Sequence, residues 1–221
     1  MIPLRDNIPS DRFPAVTLSL ILANVAIFIY QLGLGGAGQA FIWKFAAVPA
    51  SILSLHPVHE NSTLFPPLTL VTSQFLHGGV LHLAGNMLFL WIFGDNVEGK
   101  LGYFRFLAFY LICGILSGLV QVFTLADAAV PIIGASGAIA GVMGGYFIRF
   151  PRARIQTLIF LFFIIRIVYL PAILFLGIWL VFQIVAGAPT YGVAEGGVAY
   201  FAHIGGFFAG MILFKIMEKY K

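Results

Sequence analysis

The chain has 221 residues, 61% apolar and only 9% charged, with a net charge of +4 and a mean hydropathy of +1.01. Soluble domains carry roughly 25% charged residues, so a soluble globule is excluded and a polytopic membrane protein is expected. The basic excess does not indicate nucleic acid, because the Lys and Arg residues flank apolar runs and form no aromatic-interleaved patch. One cysteine, Cys113, leaves neither an internal disulfide nor a CxxC metal site.

Residues 1–12 form a short polar segment, expected on the cytoplasmic side. Residues 13–34 carry no charge over more than the roughly 20 residues a bilayer requires, giving a first span whose apolar core is too long for a cleaved signal peptide. Residues 35–67 mix aromatics, prolines and a polar patch at 56–63 that contains His56 and His59. Phe41, Trp43, Lys44 and Phe45 fit short interfacial helices at the headgroups. The second span is expected at about 81–93, preceded by His77. Charge then returns as Asp95, Glu98, Lys100 and Arg105 before a third span at 106–124.

A short loop leads through Pro131 and Gly134, residues suited to a helix start, into a fourth span at 134–149. The apolar stretch 155–186 is interrupted by Arg166 and Pro171. One straight helix with an arginine at mid-depth would be costly. The expectation is therefore a cytoplasmic-side or re-entrant segment to about 168 and a fifth span at 169–186. A glycine-rich loop at 187–198, a sixth span at 199–217 and a basic tail complete the chain. The whole reads as one all-α polytopic membrane domain over residues 1–221.

Six spans with both termini inside place eleven basic residues on the inner side: Arg5, Arg12, Lys100, Arg105, Arg149, Arg152, Arg154, Arg166, Lys215, Lys219 and Lys221. Only Lys44 lies outside, as the positive-inside rule requires for cytoplasmic termini, in a plasma (inner) membrane. No internal repeat is visible, which weighs against a transporter with duplicated halves.

The chemistry concentrates in the fourth and sixth spans. Ser136, Ala140 and Gly144 form a small-residue stripe, and His203, Gly206 and Gly210 share a face of the sixth span. Such stripes let membrane helices approach closely, so a hydroxyl and an imidazole are expected to meet as nucleophile and base. His82 and Asn86, at i and i+4, present two polar groups from the second span to one neighbour. Acyl transfer needs a nucleophile, a base and donors for the oxyanion. Ser136 and His203 supply the first two. The Asn86 amide, the His82 imidazole and the backbone N–H of Ser136 or Gly137, in a first helical turn, supply the third.

No Asp or Glu lies in the core of an expected span, so a Ser–His dyad is preferred over a triad, with Asp127 on the preceding loop the weaker candidate for a third member. Gln121 and Gln183 read as hydrogen-bonding glue between helices, and His56, His59 and His77 as structural or interfacial. No metal or cofactor is implied: HExxH is absent, the spans hold no aspartate pair, and His77 and His82 are five apart rather than four.

Four motifs in chain order then resemble the rhomboid family of intramembrane serine proteases. They are His77-Gly-Gly-Val-Leu-His82-Leu-Ala-Gly-Asn86, the stretch 94–102 with Glu98, Gly134-Ala-Ser136-Gly137, and Ala202-His203-Ile-Gly205-Gly206. The resemblance implies a six-transmembrane-helix rhomboid-like bundle, Ser136 as nucleophile, His203 as base, and His82 and Asn86 as oxyanion-hole side chains. It also implies a membrane-embedded loop after the first span and a flexible cap at 187–198. The implied reaction is peptide-bond hydrolysis in or beside a transmembrane segment of another protein, without metal or cofactor; the partners are that substrate and the lipid bilayer. Relatives often carry an aromatic four residues after the nucleophile, stacked on the base, where this chain has Ala140. The alternatives are a non-catalytic rhomboid-like binder of transmembrane helices and a small-solute channel.

Overall fold

A computed structural model describes residues 1–125, 127–161, 164–193 and 197–218. Its long helices are α1 (Ala15–Gly33), α5 (Val80–Leu101), α6 (Tyr103–Thr124), α7 (Ser136–Arg149), α8 (Ala172–Gly187) and α9 (Tyr200–Met217). Short helices α2 (Gly38–Phe45), α3 (Pro49–Ser54) and α4 (Thr69–Thr72) punctuate the loop between α1 and α5. Among the described residues, five helices are long and apolar enough to cross a membrane: α1, α5, α6, α8 with the turn that follows it, and α9. The expected fourth span is the exception. At 14 residues, α7 is about 21 Å long, short of the roughly 30 Å hydrocarbon core. It is also the most enclosed helix, with every residue from Gly137 to Tyr146 buried.

Two expectations require correction. The chain is not all-α, because strands β1 (Ile2–Arg5), β2 (Arg154–Leu161) and β3 (Ile164–Pro171) form an antiparallel sheet in the order β1-β2-β3. The segment expected to lie on the cytoplasmic side or to be re-entrant is therefore a hairpin pinned to the N-terminus. Its sequence explains this: Ile, Val, Thr, Phe and Tyr favour strands, and alternate residues Ile155 and Thr157 are buried, the period-2 signature of a half-buried strand. Arg166 is exposed on β3, so it is not carried at mid-depth on a helix. The fifth helix accordingly starts at Ala172, after Pro171 rather than before it.

The second correction concerns α5, which continues through Asp95, Asn96 and Glu98 to Leu101 instead of ending near 93. Glu98 is fully buried. Its carboxylate accepts from Val16 N (2.9 Å), Thr17 N (2.7 Å) and Thr17 Oγ1 (2.6 Å). These are first-turn amides of α1, which would otherwise lack acceptors, and negative charge is favoured there by the helix dipole. Glu98 thus ties the start of α1 to the end of α5.

Contacts at one end of the bundle join both terminal regions. Lys100 Nζ meets Asp11 Oδ2 at 2.6 Å, Arg149 Nε meets Glu218 Oε1 at 2.7 Å, and the Tyr146 hydroxyl donates to Asp6. Of the basic residues expected inside, Arg5, Arg154 and Arg166 lie on the sheet, Lys100 and Arg149 form these ion pairs, and Arg105 donates to the Met217 carbonyl; Lys219 and Lys221 lie outside the described residues. Lys44 lies on α2, beyond the opposite end of α1.

Candidate active site

The segment leading into α7 is held by the long loop after α1. Ala47 and Ile132 form a two-way backbone bridge, Ala50 N donates to Ala128 O (3.1 Å), and Gly134 N donates to Ser73 O (2.9 Å). The long loop after α1 therefore buttresses the segment that delivers Ser136. Gly134 has φ +124°, a region open to glycine, and a Cβ there would lie 2.9 Å from the His82 ring. The glycine two residues before the serine is demanded by both backbone and space.

Helix α9 comes equally close on the other side. A Cβ on Gly206 would overlap the Gly137 carbonyl oxygen, one on Gly210 the Gly141 carbonyl, and one on Gly144 the Phe207 carbonyl. The expected stripe on α9 is thus in place. On α7 the closest approaches run through Gly137, Gly141 and Gly144, one residue off the Ser136-Ala140-Gly144 line at its start. That offset leaves the Ser136 side chain beside the contact seam, toward open space.

Ser136 Oγ and His203 Nε2 are 2.8 Å apart. The other ring nitrogen, Nδ1, lies 2.7 Å from Oε1 of Gln183 on α8, and the Trp179 ring sits 6.0 Å from the imidazole at 31°. Ala140 is buried and offers no shelf to the ring; the nearby aromatic comes from α8 instead. Asp127 is exposed on the loop. Gln121 does act as glue, its Oε1 accepting Ala202 N in the first turn of α9 (3.0 Å). Gln183, the other amide expected as glue, also joins two helices, α8 and α9, but its partner is the His203 ring, which the sequence could signal only through an amide in an otherwise apolar helix.

A cavity of about 1040 Å³ opens in front of the pair, walled by His82, Asn86 and Phe89 of α5, Trp179 of α8, and Pro189, Val193 and Val198 of the 187–198 loop. Residues 194–196 of that expected cap lie outside the described residues. His82 and Asn86 line the same cavity as Ser136 and His203, and the buried Asn86 Nδ2 has no partner among the described residues. Gly137 does not line it; it packs against Ser117 and Ala202 and borders a smaller void behind Ser136. His77 is fully buried, edge-on to His82 with ring centroids 5.1 Å apart, and its carbonyl accepts from Gln31. His59 stacks on Trp43 at 4.0 Å.

The sequence profile of the Rhomboid domain matches residues 66–220. The chain is 29% identical over 210 residues to Rhomboid protein 1, mitochondrial, of Saccharomyces cerevisiae, a match covering 92% of this chain and 55% of that protein. It is 34% identical over 222 residues to RHOMBOID-like protein 4 of Arabidopsis thaliana (91% and 52%) and 30% identical over 152 residues to Presenilin-associated rhomboid-like protein, mitochondrial, of Homo sapiens (67% and 36%). The matches thus span about half the length of the first two relatives and less of the third. Two of the three are named as mitochondrial, so the expected plasma-membrane location finds no support, while an integral membrane protein stands on the apolar helices. With the profile covering most of the sequence in a helical membrane bundle, this chain belongs to the rhomboid family.

Proposed function

We propose that this protein is an intramembrane serine endopeptidase that hydrolyses peptide bonds in or next to transmembrane segments of other membrane proteins through a Ser136–His203 dyad. Family membership supports a protease-like function. The observation that carries the specific reading is the 2.8 Å hydrogen bond between Ser136 Oγ and His203 Nε2 at the wall of a large cavity.

In this mechanism His203 Nε2 takes the Ser136 proton as Oγ attacks the scissile carbonyl. The oxyanion that forms is stabilised by the unpartnered Asn86 amide, the His82 ring and the first-turn N–H of Ser136 or Gly137. Collapse returns the proton to the leaving amine, and water activated by His203 then releases the acyl group. A peptide bond within a helix must unwind to reach Oγ, so the favoured substrates carry small and helix-weakening residues near the end of their span. The partners are such substrates and the lipid bilayer. Residues 1–221 act as one membrane domain whose termini share the basic side.

The test is reconstitution in liposomes with a single-span substrate, mapping the cut by mass spectrometry, beside labelling with a fluorophosphonate. Wild type should cleave and label, and Ser136→Ala and His203→Ala should do neither. Cleavage that survives Ser136→Ala would end this reading.

A further inference from the structure

Helix α8 is apolar over most of its length, yet it carries Gln183, only 5% exposed. A buried amide in a membrane-spanning helix needs a partner, and here the partner is the imidazole that contacts the serine. A neutral imidazole has one N–H, and which nitrogen bears it decides whether Nε2 can act as a base. The Ser136 hydroxyl does not make that choice, since it both donates and accepts. An amide oxygen only accepts, so at 2.7 Å it selects the tautomer protonated on Nδ1.

We propose that Gln183 is the positioning residue of the base: its Oε1 holds Nδ1–H of His203 and leaves the Nε2 lone pair directed at the Ser136 hydroxyl. The inference rests on the protease reading for its consequence, though not for its geometry. Trp179, one helical turn earlier on the same face of α8, lies near the ring whose edge Gln183 holds, so two residues of one helix orient the imidazole from outside the α7–α9 seam. A neutral acceptor suits the site, because a carboxylate buried at this depth would carry a large desolvation cost. It also makes the base dependent on the position of α8: outward displacement of that helix would carry the acceptor away from His203.

The experiment compares wild type with Gln183→Leu and Gln183→Met in liposomes. The readouts are the rate of fluorophosphonate labelling, kcat and KM for a single-span substrate, the unfolding temperature, and the His203 tautomer by 15N NMR. Loss of the acceptor should slow labelling and kcat by about 10- to 100-fold with KM unchanged, and should turn a single Nδ1–H tautomer into a mixture. If Gln183→Leu lowers the unfolding temperature, Gln183→Met keeps the side-chain length without the acceptor and carries the comparison.

Wild-type labelling rates and an unchanged tautomer in both apolar variants would overturn the proposal. A wild type that neither labels nor cleaves, yet holds the Nδ1–H tautomer only with Gln183 present, would sink the protease reading and retain the pairing.

Discussion

Asn86 reaches the cavity with a buried donor that nothing in the described structure accepts. Leaving a buried N–H unpaired costs about 1–3 kcal/mol, and a group that appears only during the reaction can accept it. Asn86→Ala should therefore lower kcat by about 100-fold while unfolding temperature stays level or rises. At Gly134, φ +124° and the nearby His82 ring both oppose a side chain, so Gly134→Ala should displace Ser136 and abolish fluorophosphonate labelling. Asp6 lies outside the spans, and burial raises its pKa despite the opposing Tyr146 and backbone hydrogen bonds. A raised folded-state value means that its favourable contribution is present below the unfolded value and is lost as pH rises through the folded one. Asp6→Asn should therefore unfold at a higher temperature than wild type at neutral pH, with the gain vanishing in acid. Asp11 has the opposite sign: its hydrogen bond to Lys100 lowers its pKa, so its contribution is lost as pH falls.

Among the elements, α7 and α9 depend on backbone contact and α1 on a single carboxylate. Gly210→Leu would drive α9 off the Gly141 carbonyl, and because the same seam sets the 2.8 Å Ser136–His203 bond, labelling should be lost along with stability. Glu98→Ala removes the acceptors of three hydrogen bonds at the start of α1. It should cost about 3 kcal/mol, read as a lower unfolding midpoint. The shortness of α7 has a functional consequence, since a helix of about 21 Å anchored at the basic end must begin beneath the opposite surface. The loop that carries Ala47 and Ser73 meets the segment leading into it, with the Ser136 hydroxyl beside the cavity.

For the whole molecule, the sheet joins the N-terminal residues to the segment between α7 and α8, and the Arg149–Glu218 ion pair at the same end binds the last described residue. Residues 2–5 and 218 therefore share one end of the bundle. Cysteines introduced at Ser10 and Glu218 should react with an impermeant maleimide from one side of a sealed vesicle, and one at Lys44 only from the other. Reaction of all three from the same side would refute the topology.

Hydropathy pointed to the five long apolar helices, because in lipid every backbone polar group must be satisfied within its own segment and a run of apolar residues leaves little choice. Glycine spacing likewise told that the helices carrying Ser136 and His203 come together, since a side chain at those positions would collide with a carbonyl. The hairpin at 154–171 was obscured because its residues are as apolar as a span, and only pairing with β1 and the exposure of Arg166 separate the two. Gln183 and Glu98 stayed hidden for a related reason. A hydrogen bond between residues 20 or 81 positions apart leaves no periodicity in the chain, so which partner a buried polar group finds was decided by the packing of helices and by nothing local to the sequence.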